Sequence, residues 1–205
     1  MEILLYLAAA VTAYLVSGWN PAITFSKHIY HKDIRLCGSG NAGFTNFRRT
    51  FGDRWAWWVL FFDLTKAAAV TLLFANLSEN YAYCAAFTGI FALLGHSFPV
   101  WYNFRGGKGF LVTLSVMCVI DWRVGLAATV TMVILLLTTK YMSVSTVTAL
   151  LVCPILMFIL HTDIPVILMS AGMVLFVALR HRENFKRLRA GTESKFTLKS
   201  GGKKS

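Results

Sequence analysis

The chain is short of charged residues. Only 14% of its 205 residues are Asp, Glu, Lys or Arg, whereas 57% are hydrophobic and 14% are aromatic. Water-soluble domains usually carry about 25% charged and about 45–50% apolar residues. The composition therefore excludes a water-soluble globule, and so many residues that demand burial exclude a disordered chain. The sequence predicts an integral membrane protein.

Cysteine and metal-ligand clusters are also scarce. The four cysteines form no CxxC pair and are too few for a disulfide framework in a chain of this length. His28 and His31 are close enough to begin a metal site, but no group of carboxylates accompanies them. We therefore expect no metal.

Seven apolar stretches predict an all-α protein with seven transmembrane helices. A spanning helix needs about 20 mostly apolar residues, and the fourth and fifth stretches are shorter than the others. Asp121 and Arg123 separate these two, and both would be costly inside hydrocarbon. The sequence therefore predicts a surface turn there and two short helices. The stretches are residues 3–18, 55–74, 81–99, 110–120, 124–138, 144–160 and 164–179.

Positive charge predicts how these helices are oriented. Eighteen of the 20 lysines and arginines fall on one side of the predicted membrane; Arg123 is alone on the other side, and Lys66 lies inside the second span. Cytoplasmic loops are rich in Lys and Arg. We therefore expect the N-terminus outside and the C-terminus in the cytoplasm. The same asymmetry accounts for the net charge of +11, so no nucleic-acid partner is expected.

The chain is expected to form one membrane domain over residues 1–191. Residues 192–205 are rich in Ser, Gly and Lys, which predicts a basic, disordered tail.

Three polar motifs lie on the predicted cytoplasmic side. Motif 1, residues 38–49, alternates glycines with Ser, Asn and Thr. Such a backbone can point successive N–H groups into one concavity that suits an anion, although an ordinary glycine turn is an equal alternative. Motif 2, residues 95–109, ends in Gly-Gly-Lys-Gly before the fourth span. A helix N-terminus with an ammonium group favours phosphate, but a basic loop also occurs for topology alone.

Motif 3, residues 180–189, follows the last span. If this run is helical, His181 and Asn184 share one face with Arg187 or Leu188. Membrane orientation accounts for most of its charges but not for His181 or Asn184. A further pair, Asp63 and Lys66, lies on one face of the second span, roughly 12–16 Å into the membrane. Either a structural ion pair or a catalytic role fits charges at that depth.

Together these motifs resemble the bacterial acyl-phosphate:glycerol-3-phosphate acyltransferases, the PlsY family. The resemblance includes the run GSGNxGxTNxxR in motif 1. In motif 2 it includes Gly95-His96 through Pro99, with Phe104, Gly106, Gly107, Lys108 and Gly109. After the last span it includes Arg180-His181, Asn184, Arg187-Leu188, Gly191 and Glu193. It also includes Asp63 and Lys66, although Ala67 stands where the family commonly has glycine. The family's fold, with seven helices and the motifs inside, agrees with the topology expected from charge.

The resemblance implies a reaction. An acyl group would pass from acyl phosphate to the 1-hydroxyl of sn-glycerol 3-phosphate, without a cofactor because acyl phosphate is already activated. The sequence shows no obvious activated nucleophile, so we expect direct attack by the hydroxyl, without an acyl-enzyme. The products would be 1-acylglycerol 3-phosphate (lysophosphatidic acid) and phosphate, in the first step of membrane phospholipid synthesis. The protein would be a monomer in the bacterial inner membrane, with its site facing the cytoplasm. The alternative is a transporter or flippase for phosphorylated metabolites or lipids, whose polar residues should populate both faces and the midplane.

The resemblance also implies roles for individual residues. Those expected to take part in catalysis are Ser39, His96, Lys108, His181 and Asn184, and the hydroxyl proton would pass to His96, to His181 or to a phosphate oxygen of the acyl phosphate. Residues expected to bind glycerol 3-phosphate are Ser39, Arg49, Lys108, His181 and Asn184. Residues expected to bind acyl phosphate are Gly40, Asn41, Thr45, Asn46 and the loop Gly106, Gly107, Lys108 and Gly109. Further residues expected to bind substrate are Gly38, Gly43, Arg180 and Arg187.

Overall fold

The computed structural model describes residues 2–197, and the regular structure in this range is entirely helical. Two 3-10 turns cover Ile34–Leu36 and Val100–Tyr102. The α-helices are α1 (Glu2–Gly18), α2 (Pro21–Tyr30), α3 (Phe44–Phe51), α4 (Asp53–Leu77), α5 (Tyr81–Ser97), α6 (Phe110–Ile120), α7 (Trp122–Thr139), α8 (Met142–Ile159), α9 (Ile164–Arg180) and α10 (Arg182–Arg189).

An apolar helix occurs at each of the seven stretches predicted to span the membrane. The turn between the fourth and fifth is confirmed, since Asp121 accepts the Arg123 N–H at 2.9 Å and caps α7. Within the described residues five helical segments are long and apolar enough to cross a membrane: α1 with α2, α4, α5, α7 and α8. The pair α9 and α10, bent by 50°, would make a sixth, and α6 is shorter. The count of seven and the orientation therefore stay predictions.

Helix α5 lies at the centre of the bundle, packed against α1, α4, α6 and α9. Small residues permit the close approach. A Cβ at Gly95 would overlap the backbone of Tyr14 in α1, and one at Gly89 would overlap Val116 in α6. Lipid tails are as apolar as the side chains, so helix association in a membrane depends on such tight packing.

Asn20 marks the break between α1 and α2 and joins it to motif 1. Its side-chain oxygen accepts the Ile23 N–H at 3.0 Å, and its amide nitrogen donates to the Ala42 carbonyl at 3.2 Å. Pro21, which has no N–H to satisfy, fits the first position of α2. A small apolar cluster then fixes α2 and motif 1 against α4, formed by Ala22, Ile23, Ile34, Ala42, Phe47, Ala56 and Val59.

Residues 192–197, which the sequence assigned to the tail, pack against the membrane domain. The Phe196 N–H donates to the Lys140 carbonyl at 2.7 Å, and the Arg48 guanidinium lies 5.0 Å from the centre of the Phe196 ring. Arg48 also donates to the Thr197 carbonyl at 2.7 Å. For these six residues, hydrogen bonds and an aromatic contact replace the expected disorder. The rest of the predicted tail, residues 198–205, lies outside the described residues.

The predicted orientation can be tested by labelling with a membrane-impermeant thiol reagent. In a variant lacking the four native cysteines, Glu79→Cys in the α4–α5 turn should react from outside intact cells. Lys186→Cys on α10 should react only after the membrane is permeabilised. Both side chains are exposed, so accessibility within the protein does not limit either reaction. Labelling of both positions from the same side would contradict the predicted topology.

Candidate active site

A groove of about 1820 Å³ opens among the three motifs and continues between α4, α6 and α7. It extends as far as Tyr81, at the start of α5, and Asp121, between α6 and α7. The motif end, called the mouth below, is polar and cationic. The remaining wall is mostly apolar and includes Leu60, Leu64, Ala68, Leu72, Leu111, Leu114, Cys118, Val133 and Leu136.

The Asn46 side chain organises the motif 1 loop. Its oxygen accepts the Ser39 N–H at 2.9 Å, while its nitrogen donates to the carbonyls of Cys37 and Asn41 at 3.0 and 3.1 Å. Gly38 turns the chain with a φ of +55°, and a Cβ there would overlap the Asn46 oxygen. The Asn46 amide is thus occupied by the loop itself, a use that its position in the motif does not reveal.

Two helices begin at the mouth with uncapped first turns. Gly43 precedes α3 and Gly109 precedes α6, and neither helix has a side-chain hydrogen bond to its cap. The first N–H groups of a helix have no partner within it, and the helix dipole makes that end positive. Residues of both first turns line the mouth, including Thr45 and Phe110. Such an arrangement binds anions.

Close backbone contacts shape the motif 2 loop. The N–H groups of Gly106 and Gly107 donate to the carbonyls of Ser97 and His96, each at 3.2 Å. A Cβ at Gly106 would overlap the His96 carbonyl, and one at Gly107 would overlap the His96 ring. Arg180 of motif 3 donates to the Gly107 carbonyl at 3.0 Å and so joins the two motifs.

A hydrogen-bonded chain of side chains orients Lys108. Its ammonium donates to the Asn184 side-chain oxygen, and the Asn184 nitrogen donates to Glu193 at 2.6 Å. Glu193 also accepts from Arg187 at 2.8 Å and from the Ser143 hydroxyl at 3.3 Å. The sequence does not single out Ser143, because a serine at the start of an apolar span belongs to no recognisable motif.

The crowding of cations at the mouth perturbs its titrating groups. Burial, assisted by Arg187 and other nearby cations, lowers the pKa of Lys108 to about 8. Burial and the Lys108 ammonium lower the pKa of His181 to about 4. Burial works against ionisation of Glu193, but hydrogen bonds from Asn184 and Arg187 outweigh it and lower the pKa of this carboxyl. The mouth therefore holds excess positive charge that an anion would neutralise.

His181 lies at the 50° bend between α9 and α10. Its Nδ1 is 2.8 Å from the Val177 carbonyl oxygen. A carbonyl can only accept a hydrogen bond, so Nδ1 carries the hydrogen and Nε2 of the neutral ring is an acceptor. The ring lines the groove, where this acceptor is available to a ligand.

Asp63, Lys66 and His96 form a buried cluster behind the mouth. The Lys66 ammonium is 2.9 Å from the Asp63 carboxylate and 3.2 Å from His96 Nδ1, and it donates to the Trp19 carbonyl at 2.6 Å. The cluster joins α4 to α5 and to the break after α1.

The structure brings most of the predicted site residues to one groove. Those that line it are Gly38, Ser39, Asn41, Gly43, Thr45, Asn46, Arg49, Asp63, His96, Lys108, Gly109, His181, Asn184 and Arg187. The others, Gly40, Lys66, Gly106, Gly107 and Arg180, are not among its lining residues.

Residues 7–191 match the sequence profile of the family described as Glycerol-3-phosphate acyltransferase. The glycerol-3-phosphate acyltransferase of Coxiella burnetii (strain Dugway 5J108-111) is 35% identical over 196 residues, which cover 94% of this chain and 99% of that protein. The protein of the same name from Thermoanaerobacter sp. (strain X514) is 35% identical over 191 residues, covering 93% and 96%.

The fold is similar to two crystal structures of PlsY, an integral membrane glycerol 3-phosphate acyltransferase. The glycerol 3-phosphate form superposes with a TM-score of 0.89 at 30% identity, covering 94% of this chain and 96% of the other. The lysophosphatidic acid form gives a TM-score of 0.85 at 29% identity, covering 94% and 95%.

Replacing Asn46 should destabilise the motif 1 loop. Asn46→Asp keeps the shape but removes the N–H donors and sets a carboxylate against carbonyl oxygens, which costs about 1–3 kcal/mol. Thermal unfolding in detergent should shift down by several degrees. Asn41→Asp is the matched control, since the Asn41 side chain makes no hydrogen bond within residues 2–197. Equal shifts for the two variants would contradict the role given to Asn46.

Proposed function

The chain belongs to the PlsY family of glycerol-3-phosphate acyltransferases, and we propose that it transfers an acyl group from acyl phosphate to the 1-hydroxyl of sn-glycerol 3-phosphate. The products are 1-acylglycerol 3-phosphate (lysophosphatidic acid) and inorganic phosphate, as in the first step of membrane phospholipid synthesis. One observation carries this proposal: a cationic mouth built from helix N-termini opens directly into a long apolar groove.

The mouth offers two kinds of anion-binding group. Arg49 and Lys108 supply positive charge for the phosphate of glycerol 3-phosphate, with hydrogen bonds from Ser39 and Asn184. The uncapped first turns of α3 and α6 supply backbone N–H groups for the phosphate of the acyl donor. Thr45 lies in the first of these turns. Asn46, Gly106, Gly107 and Arg180 contribute by shaping the loops.

The groove suits the acyl chain. From Gly109 at the mouth to Ile120 at the far end of α6, the wall is roughly 16 Å long at 1.5 Å per residue. Both residues line the groove, and the wall between these two positions consists mostly of apolar side chains from α4, α6 and α7. An alkyl chain placed there keeps the acyl carbon of the donor at the mouth, beside the cations that bind the second substrate.

The reaction proceeds by direct attack. The substrate hydroxyl oxygen bonds to the acyl carbon, the bond from that carbon to the phosphate oxygen breaks, and phosphate leaves with the electron pair. Direct attack is supported by the surroundings of Ser39, since no base within residues 2–197 is hydrogen-bonded to its hydroxyl. Acyl phosphate is already activated, so the reaction needs no cofactor, and positioning with electrostatic stabilisation supplies the catalysis.

The hydroxyl proton passes to the departing phosphate. His181 Nε2 accepts a hydrogen bond from the hydroxyl and orients it, but a pKa of about 4 makes this ring a weak base. A phosphate group, whose second pKa is about 6, is the stronger acceptor. The phosphate also lies next to the attacking oxygen, so the transfer needs no further protein group.

The protein acts as a monomer in the bacterial inner membrane, with the mouth facing the cytoplasm. The concentration of Lys and Arg around the motifs supports this orientation. A transporter for phosphorylated metabolites fits less well, because the cations that line the groove cluster at the mouth, with Arg123 alone at its other end.

The proposed reaction is tested with purified protein in detergent or nanodiscs. Palmitoyl phosphate and labelled glycerol 3-phosphate should give equal amounts of lysophosphatidic acid and phosphate, and acyl-CoA should not replace palmitoyl phosphate. Lys108→Ala should abolish the reaction and Lys186→Ala, on exposed α10, should not. Activity with acyl-CoA alone would overturn the donor assignment. Uptake of glycerol 3-phosphate into proteoliposomes without any acyl donor would favour the transporter.

Activity should also depend on the charge of Lys108. With a pKa of about 8, this ammonium is present below that pH and is lost above it, so kcat/KM for glycerol 3-phosphate should fall as pH rises through about 8. Lys108→Arg keeps the charge and should move this fall to higher pH, even if the maximum is lower. Lys186→Arg should leave the profile unchanged. If kcat/KM of Lys108→Arg fell at the same pH as that of the native protein, titration of Lys108 could not be the cause of the fall.

A further inference from the structure

His96 lies where the buried ion pair meets the motif loops. Its Nδ1 is 3.2 Å from the Lys66 ammonium and 3.5 Å from the Asp63 carboxylate, and the residue is 4% exposed. The Lys66 ammonium is itself fixed, at 2.9 Å from Asp63 and 2.6 Å from the Trp19 carbonyl oxygen. One ring nitrogen of His96 thus faces a group whose position is determined by two other contacts.

The nearest neighbour of Nδ1 determines the tautomer. An ammonium group has three donors and no acceptor, so Nδ1 must accept from Lys66 and cannot carry a hydrogen. The neutral ring then carries its hydrogen on Nε2. The other tautomer would direct an N–H at the ammonium and leave only the longer, 3.5 Å approach to Asp63. An imidazolium would put a second cation beside Lys66.

The Nε2 side of the ring faces the junction of the two loops. A Cβ at Gly107 would overlap Nε2 and lie 2.8 Å from the Ala42 carbonyl oxygen, so only a residue without a side chain fits beside this edge of the ring. His96 lines the groove, and within residues 2–197 no hydrogen bond engages its Nε2. A ring nitrogen that carries hydrogen here is an available donor.

We propose that the Asp63–Lys66 ion pair fixes His96 as the Nε2–H tautomer and so presents one aimed hydrogen-bond donor to a phosphate oxygen in the mouth. His96 is therefore a donor and not the base, and Asp63 and Lys66 are positioning residues that act through it. The identity of the phosphate compound rests on the proposed function, but the tautomer and the binding of a phosphate oxygen do not.

Nitrogen NMR of ring-labelled histidine tests the tautomer directly, with signals assigned by comparing His96→Gln and His181→Gln. At neutral pH His96 should show the Nε2–H pattern and His181 the Nδ1–H pattern. Added inorganic phosphate should shift the His96 Nε2–H signal. An Nδ1–H pattern at His96, or no response to phosphate, would overturn the proposal whatever reaction the protein catalyses.

Activity then tests the donor. In His96→Gln the amide nitrogen reaches about as far as Nε2, so activity should stay within about tenfold, whereas His96→Leu should lose about 10- to 100-fold or slightly more. Equal losses in both variants, at unchanged thermal stability, would show that the aimed donor has no role.

A double-mutant cycle separates positioning from simple structural support. Lys66→Met alone leaves the Asp63 carboxylate buried without its partner, so Asp63→Asn/Lys66→Met is used instead. If the pair acts through the His96 tautomer, this change should lower activity in the native background and add little to His96→Gln. It should also allow the Nδ1–H tautomer to appear in the NMR spectrum. Full additivity of the losses, with the tautomer unchanged, would contradict the positioning role.

Discussion

The buried contact between Asp63 and Lys66 is the constraint on which the site depends. A charge at this depth is tolerated only with a partner, so the two side chains must meet. Lys66 also reaches the Trp19 carbonyl and His96, and this fixes α4 relative to α5 and to the end of α1. Asn20, next to Trp19, holds the motif 1 loop, and His96 holds the motif 2 loop. Relative placement of the two loops therefore follows from one ion pair.

The mouth brings together cationic side chains, which repel one another and need a neighbouring anion to hold them in place. Lys108 and Arg187 repel each other, and this repulsion adds to burial in lowering the pKa of Lys108. Glu193, held by Asn184, Arg187 and Ser143, offsets part of the charge and keeps the cations in place. The positive charge that remains attracts anionic substrates and contributes to their binding energy. Packing of residues 192–197 against the membrane domain holds Glu193 beside these side chains, and Glu193, Ser194 and Phe196 line the groove.

Much of this arrangement was open to prediction because it depends on local pattern. Apolar runs predicted the helices, and the cost of burying Asp121 and Arg123 predicted the turn between α6 and α7. The resemblance indicated that the three motifs form one site. Local pattern could not show that Asn46 and Arg180 are occupied by loop carbonyls, since their partners are fixed only by the folded backbone. Nor could it show the hydrogen bond from Ser143 to Glu193 or the packing of Phe196, because each joins segments about 50 or more residues apart in the chain.

The two histidines show how the fold gives one side chain opposite chemical roles. His181 donates its Nδ1 hydrogen to Val177, so its Nε2 accepts. His96 accepts at Nδ1 from Lys66, so its Nε2 donates. The direct attack on acyl phosphate that we propose needs an acceptor facing the nucleophilic hydroxyl and donors facing the phosphate, without a strong base. Two neutral imidazoles in fixed and opposite tautomers meet that need. The partner of each Nδ1, a backbone carbonyl in one case and an ammonium in the other, decides which role each ring takes.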